Sequence, residues 1–134
     1  MKLTRQEEIS LLISAELALQ DGKRLSTFDI GELHGISNAY LKKIIRMLKT
    51  ASIVASKEGI GGGYILTKHP SEITVLEILQ AVGATKEVVP NTAIRTCPLL
   101  PDCLPQRIRQ QIEHVFLTYC RNVTLDQLVK KGTI

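Results

Sequence analysis

Residues 36–49, Ile-Ser-Asn-Ala-Tyr-Leu-Lys-Lys-Ile-Ile-Arg-Met-Leu-Lys, lead almost directly into residues 53–67, Ile-Val-Ala-Ser-Lys-Glu-Gly-Ile-Gly-Gly-Gly-Tyr-Ile-Leu-Thr. In the first stretch Leu41, Ile44, Ile45 and Leu48 recur at i, i+3, i+4 and i+7, the apolar stripe of an amphipathic helix. At about 100° per residue, Asn38, Lys42, Arg46 and Lys49 gather on the opposite face, flanked by Ala39 and Lys43. No carboxylate stands four residues from any of these cations, whereas a face built for solubility mixes its signs. The second stretch predicts a hairpin: a strand at 53–57, a turn at 58–63 and a strand at 64–67. Helix followed by wing is the order in which a winged helix meets duplex DNA. Between Glu32 and Glu58 stand five Lys or Arg and no acid, so positive field is concentrated where phosphates would come.

The turn carries four glycines in five positions, 59 and 61–63, which allows positive φ and close backbone approach to a phosphate or a groove wall. A purely structural tip would be expected to need fewer. A nucleotide-binding loop is excluded on context, because no Lys-Ser/Thr follows and the glycines open a strand. Tyr64 is expected to pack beneath the wing.

Upstream, Ile9, Leu12, Ile13 and Leu17 predict a helix over 4–20, stopped at Asp21-Gly22. Ser26-Thr-Phe-Asp caps a second, short helix ending at His34-Gly35, and Ser37 caps the third. Gly-Ile-Ser between them is the tight connection of a helix-turn-helix. Downstream, Ile73–Val82 predicts a fourth helix. Residues 84–104 read as a polar, proline-punctuated loop, and connections of that length are functional or disordered. Residues 105–121 resume as a helix in which Ile108, Ile112, Val115, Phe116 and Tyr119 form an apolar stripe. Because a winged-helix core would already be closed by then, the stripe is assigned to a second copy of the chain. A short helix begins at Thr124. The fold class is therefore mainly α with a small β-hairpin wing. It divides into a DNA-binding domain (1–83), a cysteine-containing sensor loop (84–104) and a dimerisation segment (105–134).

With 134 residues, 44% of them apolar but no Trp and 4% aromatics, the chain can bury a core, and that core must be aliphatic. No apolar run reaches the roughly 18–20 residues of a membrane span. The first residues lack the apolar core of a signal peptide, so a cytoplasmic protein is expected. Net charge is only +4, but residues 1–70 hold ten basic and seven acidic side chains against seven and six in the remainder, so most of the excess lies in the first half. Three cysteines in a reducing compartment argue against a disulfide framework. Cys97 and Cys103 share a stiff loop and can converge on one metal, but two ligands do not complete a site. Cys120 stands too far along the following helix to join them within one subunit, and reads as a small buried residue at the dimer helix.

Met1-Lys-Leu-Thr, Ile36-Ser-Asn-Ala-Tyr-Leu-Lys-Lys-Ile, Gly59-Ile-Gly-Gly-Gly-Tyr, Ile73-Thr-Val-Leu-Glu-Ile-Leu and Thr124-Leu-Asp-Gln-Leu together resemble the IscR/NsrR/CymR family of bacterial winged-helix regulators, over nearly the whole chain. The resemblance implies a homodimeric transcription factor on a pseudo-palindromic operator of double-stranded DNA, controlled in many members by an iron–sulfur cluster in the loop before the dimer helix. The family pattern of three cysteines at five-residue spacing is met only by Cys97 and Cys103; Arg109 stands at the third position, and Ile112 where some members have a histidine. Some relatives add a carboxylate near the N-terminus, where this chain has Glu8. Two thiolates and a carboxylate would hold a labile cluster; the other course is a cluster-free switch worked by thiols or by a regulatory partner protein. At the DNA-reading positions Lys42-Lys43 replaces a common Glu-Gln, which favours guanine N7/O6 or phosphate over cytosine. Glu58 stands where the family is often basic, and Ile60 replaces a usual proline.

The principal expectation is a dimeric, sequence-specific DNA-binding regulator, most simply a repressor that occludes a promoter. Ser37, Asn38, Tyr40, Lys42, Lys43 and Arg46 would position or read bases, with Lys57 and Gly61, Gly62 and Gly63 at the backbone. The alternative is a protein-interaction module on the same scaffold, signalling through 84–104. An enzyme is not expected: His34, His69 and His114 fall on separate elements, and no triad spacing is present.

Overall fold

The computed structural model describes residues 3–83 and 104–130. Helix α1 (Arg5–Leu19) opens on a capping box in which the Thr4 hydroxyl accepts from the Glu7 amide and the Glu7 carboxylate accepts from the Thr4 amide. Ile9, Ile13 and Leu17 form its buried edge. Ser10 and Ser14 are fully buried beside them, their hydroxyls donating to the carbonyl oxygens of Glu7 (2.7 Å) and Ser10 (2.8 Å). Those bonds satisfy groups whose unpaired burial would cost about 1–3 kcal/mol each.

Helix α2 (Thr27–His34) repeats the capping box with Ser26 and Asp29. It ends at Gly35, whose φ of 66° turns the chain sharply toward the next helix. Helix α3 (Asn38–Thr50) is capped by the Ser37 hydroxyl, which accepts from the Tyr40 amide. Leu41, Ile44, Ile45 and Leu48 are all buried, none more than 1% exposed. The helix closes through Ser52, at φ 61°, with the Ile53 amide donating to the Leu48 carbonyl. The chain then enters the antiparallel pair β1 (Val54–Lys57) and β2 (Gly63–Leu66), with Val54 opposite Leu66 and Lys57 opposite Gly63. Leu25 adds a third, one-residue rung. Its amide donates to the Tyr64 carbonyl and its carbonyl accepts from the Tyr64 amide, at 3.2 and 2.9 Å. A single bridging residue has no periodicity, so the sequence carried no strand signal there. Tyr64 is half-buried against the core, beneath the wing as expected.

After a 3-10 turn (Pro70–Glu72), helix α4 (Val75–Ala81) begins on the Thr74/Glu77 capping box. Helices α5 (Leu104–Asn122) and α6 (Leu125–Lys130) follow. The expectation that the core is complete before α5 needs correction. Leu125 is 0% exposed and lies in the main core with residues of α1, α3 and α4, and Leu128 and Val129 pack against it. Backbone bonds fix the docking: the Leu125 amide donates to the Ile73 carbonyl (2.7 Å) and the Val75 amide to the Val123 carbonyl (2.9 Å). Helix α6 packs on α1, as do α3 and α4, so α1 is the axis of the fold.

Helix α5 divides its apolar residues between two surroundings. Cys120 joins Val75, Leu76 and Leu79 of α4 in a second buried cluster, with Phe116 and Leu117 packed against it. Cys120 is buried as expected, but against its own chain, and burial pushes its thiol pKa up. Ile108, Ile112, Val115 and Tyr119 remain between 47% and 66% exposed.

Candidate nucleic-acid interface

The burial of α3 along one stripe dictates what its other face does. With Leu41, Ile44, Ile45 and Leu48 in the core, helical geometry leaves Asn38, Lys42, Lys43, Arg46 and Lys49 exposed. None of these cations, nor Lys57 on β1, stands in an ion pair among the described residues. The cationic strip is therefore turned outward and is not neutralised by carboxylates from elsewhere in the described fold. Lys43 lies over the Tyr40 ring, its Nζ 5.9 Å from the centroid, which holds one ammonium near the helix N-terminus. Tyr40 is itself half-buried against the core, and Ser37 is exposed and engaged as the helix cap. Ser37 thus has a structural role at the position assigned to base reading.

The wing continues from this face. Each of its four glycines has a reason inside the fold, against the expectation that a structural tip would need fewer. Gly59 and Gly61 take φ of 111° and 74°. A Cβ on Gly62 would lie 2.8 Å from the Lys57 carbonyl oxygen, and one on Gly63 would lie 2.9 Å from that of Leu25, inside the closest approach Cβ atoms make. At the apex Ile60 is fully exposed beside the exposed Glu58. Sequence reasoning passed over Arg24, which the Leu25 bridge brings to the wing: its Nη1 donates to the Gly61 carbonyl at 3.5 Å. The Lys23-Arg24 pair is the available signal, but it lies outside the acid-free run between Glu32 and Glu58.

Of the three histidines, His34 meets Glu16 of α1 at 2.8 Å, and His69 caps the 3-10 turn by accepting from the Ser71 amide. His114 is exposed on α5. The structure brings none of them together.

Cys97 and Cys103 lie outside the described residues. Glu8 is exposed in the first turn of α1. Arg109, at the place of the third thiolate in the family pattern, is paired with Glu113 at 3.3 Å, and Ile112 is exposed. A guanidinium offers no lone pair to a metal, and the described residues contain no group of three His, Cys, Asp or Glu able to hold one. These donors do not fit the three-thiolate cluster site. On the outer side of α5, Ile112, Val115, Phe116 and Tyr119 line a shallow apolar groove. Among the described residues no helix is long and apolar enough to cross a membrane.

Comparison with known proteins bears on this arrangement. Residues 3–131 match the family model Rrf2, described as an iron-dependent transcriptional regulator. Over its whole length the chain is 30% identical to the HTH-type transcriptional regulator IscR of Pectobacterium atrosepticum, covering 82% of that protein. Among solved structures it is similar to CymR, the global cysteine regulator of B. subtilis, with a TM-score of 0.81 at 25% identity over 100% of this chain and 99% of the other. It also shares the fold of T. potens IscR, with a TM-score of 0.78 at 23% identity over 99% and 89% of the two chains.

Proposed function

Since the chain belongs to the Rrf2 family of transcriptional regulators, we propose that it acts in the cytoplasm as a homodimer that binds a pseudo-palindromic operator and represses by occluding a promoter. The family is one of regulators, and the chain is not an enzyme. The observation that carries the reading is the outward cationic face of α3, unpaired among the described residues, set against its buried apolar stripe and followed at once by the wing. Lys42 and Lys43 read guanine edges or adjoining phosphates from the major groove, Asn38 and Arg46 extend that contact, and Ser37 and Tyr40 fix the helix end that enters. Lys57 and the backbone of Gly61–Gly63 meet the phosphate wall. We propose 1–83, 84–104 and 105–134 as functional divisions only, since α6 packs into the core of the first.

Dimerisation proceeds through Ile108, Ile112, Val115 and Tyr119, with Phe116 at the inner edge of the groove. Four large apolar side chains on consecutive turns of one helix face are a stripe that an isolated chain leaves in water. A two-fold axis through α5 would cover it, and a dimer that reads a pseudo-palindrome needs its two α3 helices about one DNA turn apart, roughly 34 Å. Regulation is cluster-free in this reading, carried by the thiols of Cys97 and Cys103 or by a partner protein at 84–104, because Arg109 supplies no ligand. Anaerobic purification tests this point: a colourless protein with reactive thiols is expected, and a brown one that loses iron and sulfide on Cys97→Ser would reverse it.

Mobility-shift titration against genomic fragments tests the main reading. A preferred fragment that Lys42→Ala/Lys43→Ala no longer selects is expected. Weak, uniform binding that is indifferent to that double variant would favour the protein-interaction module.

A further inference from the structure

We propose that Arg24 is a phosphate-binding residue of the wing, supplying from outside the hairpin the cation that the hairpin tip lacks. The inference rests on the DNA-binding reading above. Along the hairpin itself, Lys57 and Glu58 are adjacent and their charges cancel, so the tip alone has no net attraction for a polyanion. Arg24 changes that balance to +1. It reaches the tip because Leu25 is locked to Tyr64 by two backbone bonds, which places residue 24 alongside β2. Gly63 keeps this approach open, since any side chain there would strike the Leu25 carbonyl.

The side chain is then held at the turn by the bond from its Nη1 to the Gly61 carbonyl. A guanidinium has five N–H donors, so four remain for a phosphate after one is given to Gly61. Arg24 is exposed and stands in no ion pair among the described residues, and Glu58 is not its partner. The bond to Gly61 directs the guanidinium toward the turn, and no carboxylate among the described residues competes with a phosphate for it.

The experiment is fluorescence-anisotropy titration of a duplex selected from random sequence by the full-length protein, repeated over a range of salt concentrations. The proteins are wild type, Arg24→Gln, Arg24→Lys and Lys42→Ala/Lys43→Ala. Loss of one phosphate contact lowers the slope of log K against log[salt] by about 0.9, which at 0.1 M salt is roughly an eightfold loss of affinity. Arg24→Gln is expected to show both changes, with the sequence preference intact, and Arg24→Lys is expected to restore the slope. If Arg24→Gln binds like wild type while Lys42→Ala/Lys43→Ala loses the preferred duplex, Arg24 is only a solvated surface residue and the inference is overturned with the DNA reading standing. If selection yields no preferred duplex and neither variant alters binding, the DNA reading fails and takes this inference with it.

Discussion

Truncating Leu125 to Ala measures whether the last helix is part of the winged-helix core or an appendage to it. The side chain is 0% exposed, and its backbone amide is already committed to the Ile73 carbonyl. Removing three buried carbon groups at about 0.8 kcal/mol each forfeits roughly 2.4 kcal/mol of transfer free energy. The residual cavity adds to this, because α1 and the segment from Ile73 are fixed by other contacts and collapse only partly, so the total comes to about 3–4 kcal/mol. For a chain of this size that corresponds to a fall in Tm of roughly 12 °C. The assay is urea and thermal unfolding followed by circular dichroism, with Ile60→Ala as the comparison. Ile60 is fully exposed, and its truncation is expected to stay within about 0.5 kcal/mol of wild type. A loss below about 1 kcal/mol for Leu125→Ala would refute the claim that residues after 124 close the first domain's core.

Ser52 sits in the left-handed region that favours glycine, so Ser52→Gly is expected to raise stability by about 0.5–1 kcal/mol, seen as a higher urea midpoint at unchanged slope. Cys120 has its thiol pKa raised by burial, so its peptide should stay unalkylated by iodoacetamide at pH 8 until denaturant is added; prompt native labelling would contradict the α4–α5 packing. Ile112→Asp places a charge in the exposed stripe of α5 and is expected to yield monomers in light scattering with unchanged helix content. Persistence of a dimer in that variant would move the interface elsewhere.

Elements whose chemistry is local were legible in the sequence. The capping residues Ser26 and Ser37 stand at the helix starts they predict, because a cap acts over three positions. The split of α3 into buried and cationic faces followed from periodicity alone. Contacts between distant residues were not legible. Leu25 joins Tyr64, and Arg24 reaches Gly61, across a separation that no local pattern encodes. Burial of Ser10 and Ser14 was invisible for a related reason: a hydroxyl that bonds back to its own helix behaves as a small core residue, while its type suggests a surface. The wing glycines looked like an opening for DNA, and the steric demands of Lys57 and Leu25 explain two of them without any ligand.

Dimethyl sulfate protection on a selected operator duplex interrogates the face of α3 most directly, because the reagent attacks guanine N7 in the major groove. Protected guanines are predicted in two symmetric half-sites about one helical turn apart, with protection lost in Lys42→Ala/Lys43→Ala. Guanines that remain fully reactive at saturating protein, or stay protected in the double variant, would contradict the assignment of that helix to the groove.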